Sequence, residues 1–234
     1  NFVGKVLTIA NEVKYIIAND ADEIFVGERF DTEPSATAYT VNPSAPEFFL
    51  ANGTNFYKCD ATTLTRLDNS TFAYAFDGVE QHIGRLFGWI DDRIHWSDLG
   101  VGEHYSRNSF LSVGEGIQRV KSLGDVLVIY TAYRTLALRG DSPEKFELIT
   151  VLDLGTTAPK AVANYRGLYQ LFLNEEFGVI ILTKDKLRVE RGEPVSVTEG
   201  YLNDDLLAQT AANLQASAME IHQDHLYLCV DDDW

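Results

Sequence analysis

The sequence predicts an all-β, β-propeller-like fold of about five to six antiparallel blades, with one short helical insertion. The chain repeats a pattern of apolar run, polar break and apolar run, which is typical of short β-hairpins. Six such units begin roughly 35 to 55 residues apart, mostly near 40, as propeller blades do. A β-sandwich of similar size stays open as the competing architecture, because a count of hairpins fits both.

The first three units place their breaks at residues with turn chemistry. In chain order they are residues 14–18 with 23–26, 48–51 with 54–59, and 85–90 with 93–97. The second break is Asn52-Gly53, a strong hairpin signal because both residues tolerate the positive φ of a type I′ turn. The third is Asp91-Asp92, between two runs of apolar and aromatic residues.

The last three units follow the same pattern. They are residues 125–130 with 135–139, residues 167–173 with 179–182 and a further return at 187–190, and residues 225–230. Nearly continuous apolar runs at 126–130 and 179–182 predict central strands that are covered on both faces. Turn residues precede the first strand of several units, namely Gly84, Gly124 with Asp125, Gly167 and Asp224.

One segment, residues 203–217, departs from the β pattern. It is rich in helix formers, and Asn203 is a suitable N-cap for a helix of two or three turns. Asp204 and Asp205 in the first turn favour the helix dipole, so these carboxylates need no catalytic role.

Composition excludes several classes of function. The formal net charge is −16 and the sequence pI is near 4.6, so we expect neither specific nucleic-acid binding nor docking on an anionic membrane. No run approaches the roughly 18 apolar residues of a membrane helix. Cys59 and Cys229 lie in apolar runs, which predicts buried thiols, with a disulfide between them as the alternative. The chain starts at Asn1 rather than Met, and we expect residues 1–234 to be a single propeller domain, processed or cut from a longer protein.

The residues that could carry out chemistry are better explained by structural roles than by a catalytic or metal-binding site. The five histidines form no HExxH motif and no set at metal-ligand spacing. Acidic clusters at Asp20/Asp22/Glu23, Asp91/Asp92 and Asp231–Asp233 could offer oxygens to Ca²⁺, but each falls in a predicted turn. We therefore predict no catalytic, cofactor-binding or metal-ligating residue and no cofactor.

Three further motifs carry weak signals. Residues 114–116 (GEG) lack the GK[ST] of a phosphate loop and predict a turn. Residues 97–100 (SDLG) match only the start of the aspartate box of sialidase-type propellers. Trp89, Trp96 and Trp234 could stack on sugars, although the alternation around them favours the core for at least one.

The stretch from residue 85 to 201 resembles the virion-associated β-propeller proteins of tailed bacteriophages, of the tail nozzle or tail-tip type. The resemblance rests on RLF at 85–87, RIHWS at 93–97, GDVLVI at 124–129, LRGDSP at 138–143, GTTAP at 155–159, and GLYQLFL at 167–173 followed by Gly178-Val179. It covers about half of the chain strongly, and the matched residues are strand and turn signatures.

This resemblance implies a non-enzymatic structural component of a virion, located in the tail or head-to-tail region. Its expected partners are copies of itself in a ring and other virion proteins, around a channel that DNA passes. An acidic lumen would keep DNA from adhering, because like charges repel. The main alternative is a carbohydrate-binding or glycoside-hydrolysing propeller, which would need two carboxylates about 5–9 Å apart beside an aromatic platform. A cellular propeller that serves as an interaction hub is a third option.

Overall fold

The computed structural model describes residues 5–9, 12–19, 24–26, 40–43, 48–59, 63–67, 75–106, 108–184, 195–198 and 203–230. The chain divides into two compact units. The first comprises Asn1–Ile90 and Ile94–Leu111, and the second comprises Asp91–Arg93 and Ser112–Trp234.

The first unit contains most of three antiparallel sheets, of four, three and four strands, within its described ranges. Its strands are β1 (Lys5–Ile9), β2 (Glu12–Asn19), β3 (Ile24–Val26), β4 (Thr40–Pro43), β5 (Phe48–Ala51), β6 (Phe56–Cys59), β7 (Leu64–Arg66), β8 (Gly78–His82), β9 (Arg85–Ile90), β10 (Arg93–Trp96) and β11 (Phe110–Ser112). The sheet orders are β3-β2-β1-β4, β5-β6-β7 and β11-β10-β9-β8. The second and third sheets are therefore meanders, in which each strand pairs with the next along the chain.

Aromatic residues fill the core of the first unit. Phe56 of β6, Phe76, Leu86 of β9 and Tyr105 are buried together. Glycine makes room for this packing, since a Cβ on Gly88 would lie 2.6 Å from the ring of Phe76. The sheet β5-β6-β7 thus packs against the sheet β8–β11.

The second unit contains two four-stranded meanders, a two-stranded sheet and two short helices in the described residues. Its elements are β12 (Ile117–Leu123), β13 (Val126–Thr131), β14 (Thr135–Arg139), a 3-10 turn (Pro143–Lys145), β15 (Glu147–Leu152), β16 (Val162–Tyr165), β17 (Tyr169–Asn174), β18 (Gly178–Thr183), β19 (Val195–Ser196), α1 (Asn203–Leu207), α2 (Ala211–Ala216), β20 (Ala218–His222) and β21 (His225–Cys229). None of the helices that the structure describes has the length and apolarity needed to cross a membrane.

The sheet β16–β19 is covered on both faces, as a propeller blade is. On one face, Phe172 packs with Tyr130, Val128 and other side chains of the sheet β12–β15. On the other face, Leu171 and Leu173 pack with Leu206 of α1, Leu214 of α2 and Met219 of β20. Because side chains alternate along a strand, β17 supplies both cores from consecutive residues. Full burial of each such side chain contributes about 1.5–3 kcal/mol.

The predicted turn markers lie at the tight turns that join the first two strands of a sheet. Gly84, Gly124, Gly167 and Asp224 all have positive φ, between 63° and 74°. Ile83, Arg166 and Gln223, which precede three of them, are also at positive φ. His82 pairs with Arg85, Leu123 with Val126, and His222 with His225, so three of these turns have two residues. In two of them, at 83–84 and 223–224, both residues have the positive φ of type I′.

Several expectations need correction. Neither Cys59 nor Cys229 forms a disulfide, but both are half-buried rather than buried. The loop at Asn52-Gly53 has four residues, because Ala51 pairs with Phe56, and only Gly53 has positive φ. The helical insertion is confirmed, although it is divided at Thr210, whose extended backbone and side-chain bond to the amide of Asn213 begin a new helix.

The described sheets confirm the predicted fold class. Consecutive antiparallel meanders that stack through both faces are the blade pattern, and the chain is all-β and β-propeller-like. In a β-sandwich, the strands would instead be divided between two large sheets. The loop of the first hairpin (20–23), the return at 187–190 and residues 231–234 lie outside the described residues.

Candidate functional site

The residues considered first from the sequence do not converge on one site. His82 and His95 are buried in the first unit, whereas His104, His222 and His225 are exposed. Across the described ranges, no group of three or more His, Cys, Asp or Glu side chains is placed to hold a metal ion.

The acidic pair Asp91-Asp92 forms a turn, as predicted. Asp91 has a φ of +52°, and the hydroxyl of Ser112 donates to the Asp92 carboxylate over 2.5 Å. The backbone carbonyls of Asp91 and Asp92 accept bonds from the amides of Ile117 and Val113. The other two acidic clusters, at Asp20–Glu23 and Asp231–Asp233, lie outside the described residues.

The aspartate-box-like stretch and two tryptophans are structural. Ser97 is fully buried, and its hydroxyl oxygen accepts a bond from the amide of Leu86. Gly100 has a φ of +74°, as a turn requires. Trp89 and Trp96 are buried, which confirms that at least one tryptophan belongs to the core, while Trp234 lies outside the described residues.

A cleft of about 340 Å³ lies in the second unit, where three connecting segments and one helix meet. The turn from β13 to β14 contributes Ala132 and Tyr133, and the link from β15 to β16 contributes residues 153–155 and Thr157. The turn from β17 to β18 contributes residues 174–176, and α2 adds Gln215. The cleft is thus at the end of the two meanders opposite to the tight turns at Gly124 and Gly167.

Thr131 shapes the turn that carries Tyr133. Its hydroxyl oxygen accepts bonds from the amides of Tyr133 and Arg134, at 3.3 and 2.9 Å. The same hydroxyl donates to Oε2 of Glu115 over 2.7 Å, and a guanidinium nitrogen of Arg134 lies 2.6 Å from Oε1. These bonds fix the backbone of the turn, and the Tyr133 side chain remains 75% exposed.

The GEG turn therefore has a structural role. The Glu115 carboxylate accepts two hydrogen bonds, and its pKa lies below its ordinary value. The hydrogen bond from Thr131 is the main cause, and the hydrogen bond and charge of Arg134 add to it. Glu115 is consequently ionised at neutral pH, and its contacts with Thr131 and Arg134 stabilise the turn.

Gly155 allows the central segment to lie against the Tyr133 turn. A Cβ at this position would lie 2.1 Å from the carbonyl oxygen of Thr131. The adjacent amide of Thr156 donates to that same oxygen over 2.9 Å. The Asn174 side-chain amide donates to the Gly155 carbonyl over 2.9 Å. This bond links the segment between β15 and β16 to the turn between β17 and β18.

Asn174 also organises the third segment. Its side-chain oxygen accepts bonds from the amides of Glu176 and Phe177, at 3.0 and 3.1 Å. This turn brings Glu175 and Glu176 to the cleft, where Glu175 accepts a hydrogen bond from the Thr157 hydroxyl. Phe177, the next residue, is 40% exposed.

The cleft is acidic and contains an aromatic ring. Asp153, Glu175 and Glu176 contribute carboxylates, and no described residue that lines the cleft is basic. Such a site attracts cationic groups, and the face of the tyrosine ring can stack on a cation or on a sugar. None of these residues is singled out by the sequence pattern, although the polar breaks at 131–134 and 174–178 are two of the segments that form the cleft.

Comparisons with known proteins identify no family. No family model matches the chain, and no curated protein does. Among solved structures, Kluyvelomyces marxianus Hsv2 aligns with a TM-score of 0.39 and 10% identity over 59% of this chain and 44% of that chain. A chain of the Mitotic Checkpoint Complex aligns with a TM-score of 0.44 and 12% identity over 83% of this chain and 64% of that chain. The chain thus spans less than two thirds of either of them.

Proposed function

We propose that this chain is a non-enzymatic structural component of a phage-like virion, in the tail or the head-to-tail region. It acts through contacts with copies of itself and with other virion proteins. The resemblance of residues 85–201 to phage tail propellers supports the proposal. The motifs behind that resemblance occupy strands and turns of the blade framework, such as β9, β10 and β13.

The observation that carries the proposal is a set of three exposed apolar residues on the second unit. Tyr133, Phe177 and Val197 are 75%, 40% and 42% exposed. Tyr133 and Phe177 lie on two of the segments that form the cleft, and the Ser196 hydroxyl donates to the Phe177 carbonyl over 2.8 Å. Aromatic residues at an exposed turn are typical of protein–protein contact surfaces.

The net charge favours a role in which the protein lies near nucleic acid without binding it. With a net charge of −16, the protein repels the phosphate backbone at low and moderate ionic strength. In a ring of such chains, DNA would pass without adhering to the walls. This function requires a rigid scaffold, and the doubly covered sheet β16–β19 provides one.

The first experiment is to measure the mass of the native assembly by mass photometry, on material from the natural source. We expect species that contain many copies, or particles of virion size. A uniform species with the mass of a single natural chain would contradict the proposal. Negative-stain imaging of the same sample, labelled with an antibody to the chain, would show whether the label falls on tails.

A carbohydrate-binding propeller is the second candidate, and the cleft is the observation that favours it. Sugar-binding sites combine an aromatic platform with polar side chains, and Tyr133 stands beside Asp153, Glu175 and Gln215. A glycan array probed with the purified chain tests this candidate. Binding that is lost in Tyr133→Ala, and retained in Tyr227→Ala as the exposed control, would replace the virion proposal.

A further inference from the structure

We propose that the acidic cleft docks a single arginine or lysine side chain from an extended segment of a neighbouring protein. This inference rests on the proposed function, because it names the chemistry of one partner in the assembly. The Tyr133 ring serves as the platform for the cation, and the carboxylates of Asp153, Glu175 and Glu176 surround its charge.

The size of the cleft fits this occupant. Its volume of about 340 Å³ is at the lower end of the range of about 300–1,000 Å³ that is usual for ligand pockets. A long, unbranched cationic side chain can enter such a cleft while the backbone of its segment stays outside.

Charge selects a cation over other ligands. Three carboxylates meet at the cleft, and among the described residues its lining holds no lysine, arginine or histidine. An anionic ligand, such as a phosphate or a sulfated glycan, would be repelled. The net charge of −16 also steers a basic partner toward the chain, since complementary charge raises the rate of encounter.

The tyrosine is positioned in advance of binding. Its ring is 75% exposed, so it contributes little to the core of the unit. Its backbone is nevertheless fixed by the bonds to Thr131 and by the ion pair of Arg134 with Glu115. An exposed ring on a backbone that is held in place is suited to stacking on a guanidinium group.

Two exposed apolar residues outside the lining of the cleft can contact the rest of the segment. Phe177 directly follows Glu176, and Val197 is linked to the same region because its amide donates to the Val179 carbonyl over 2.8 Å. Both side chains are about two-fifths exposed. We therefore expect the partner segment to carry apolar residues next to its basic residue.

The binding test uses the purified full chain and a blocked pentapeptide with one arginine between leucines. We expect saturable binding by titration calorimetry, and at least tenfold weaker binding when citrulline, which is neutral and similar in shape, replaces the arginine. The double variant Asp153→Asn with Glu176→Gln should also bind at least tenfold more weakly. The control Asp141→Asn with Glu147→Gln changes the charge equally at exposed positions outside the cleft, and should bind like the wild type. Equal binding of the two peptides, or equal losses in the two double variants, would overturn the proposal.

A second measurement separates this inference from the proposed function. A photo-crosslinking amino acid at position 133, in the assembly isolated from the natural source, should capture a peptide that contains Arg or Lys beside apolar residues. If the assembly is large and the captured segment has no basic residue, the inference fails while the virion role stands. If the chain is monomeric in its natural source, the proposed function itself fails.

Discussion

The Tyr130 hydroxyl donates a hydrogen bond to the side-chain oxygen of Gln170 over 2.8 Å, and both residues are fully buried. Tyr130 lies on β13 and Gln170 on β17, so the bond joins the second strands of two consecutive sheets. The Gln170 amide nitrogen donates onward to the Ser122 carbonyl over 3.3 Å. A polar link in an apolar interface fixes how the two sheets align, because any shift would leave buried polar atoms without partners.

The substitution Tyr130→Phe should destabilise the protein by about 1–3 kcal/mol, because it leaves the buried Gln170 oxygen without its donor. Chemical denaturation followed by tryptophan fluorescence measures the change. The exposed Tyr133→Phe is the matched control, and we expect it to change the free energy of unfolding by less than about 0.5 kcal/mol. A loss of equal size in both variants would show that the buried hydrogen bond does not contribute more to the free energy of unfolding than the exposed hydroxyl does.

The substitution Gly155→Ala should destabilise the second unit by about 1–3 kcal/mol or more, because the new methyl group meets the rigid Thr131 carbonyl at 2.1 Å. Thermal unfolding of the purified variant tests this expectation. Gly116→Ala is the control, since a Cβ there has no neighbour within 4 Å. The prediction is wrong if both alanine variants melt at the wild-type temperature.

The Glu115 carboxylate should make stability depend on pH in the acid range. Its pKa is lowered in the folded state, so its contribution is present above the pKa of the unfolded chain, about 4.3, and is lost as the pH falls through the folded value. Glu115→Gln should therefore cost about 1 kcal/mol at pH 7, and this difference from the wild type should shrink below about pH 4. Urea unfolding at a series of pH values measures it.

Other carboxylates also make the stability of the protein depend on pH in the acid range. The pKa values of Asp141 and Asp224 are lowered by the hydrogen bonds from Lys145 and Arg166, so the Glu115→Gln variant should still lose stability in acid. A difference between variant and wild type that stays constant from pH 7 to pH 3 would exclude the role given to Glu115.

In the first unit, Ser97→Ala should cost about 1–3 kcal/mol, because the buried amide of Leu86 loses its acceptor at 3.0 Å. Ser112→Ala removes a bond to Asp92 at an exposed position and should cost less than about 0.5 kcal/mol. Hydrogen exchange at the Leu86 amide gives a local measurement, and protection equal to that of the wild type would argue against the assignment.

The strands and their tight turns could be predicted from sequence because both depend on local chemistry. The hairpin from 85 to 97 appeared as two aromatic runs around Asp91-Asp92, and the structure has β9 and β10 there. Outer strands such as β8 and β16 were not predicted individually, because their burial is uneven and their apolar pattern is weak. The half-buried state of Cys59 also depends on packing between sheets rather than on the alternation within one strand.

The cleft could not be predicted, because it depends on which turns come together at one end of neighbouring sheets. Asp153, Glu175 and Gln215 are far apart in sequence, and each looks like an ordinary polar loop or helix residue. The role of Gly155 could not be predicted either, since its lack of a side chain matters only because the segment packs against the Thr131 turn.

The two ends of the meanders in the second unit differ in how freely their sequence can change. At one end, the turns at Gly124 and Gly167 depend on a positive φ, which glycine adopts without strain. At the other end, the turns at 131–134 and 174–178 are shaped mainly by side-chain hydrogen bonds from Thr131 and Asn174. Substitution of an exposed turn residue such as Tyr133 should leave the strand pairs in place, so related chains can acquire new partners at the cleft end while the blades stay the same.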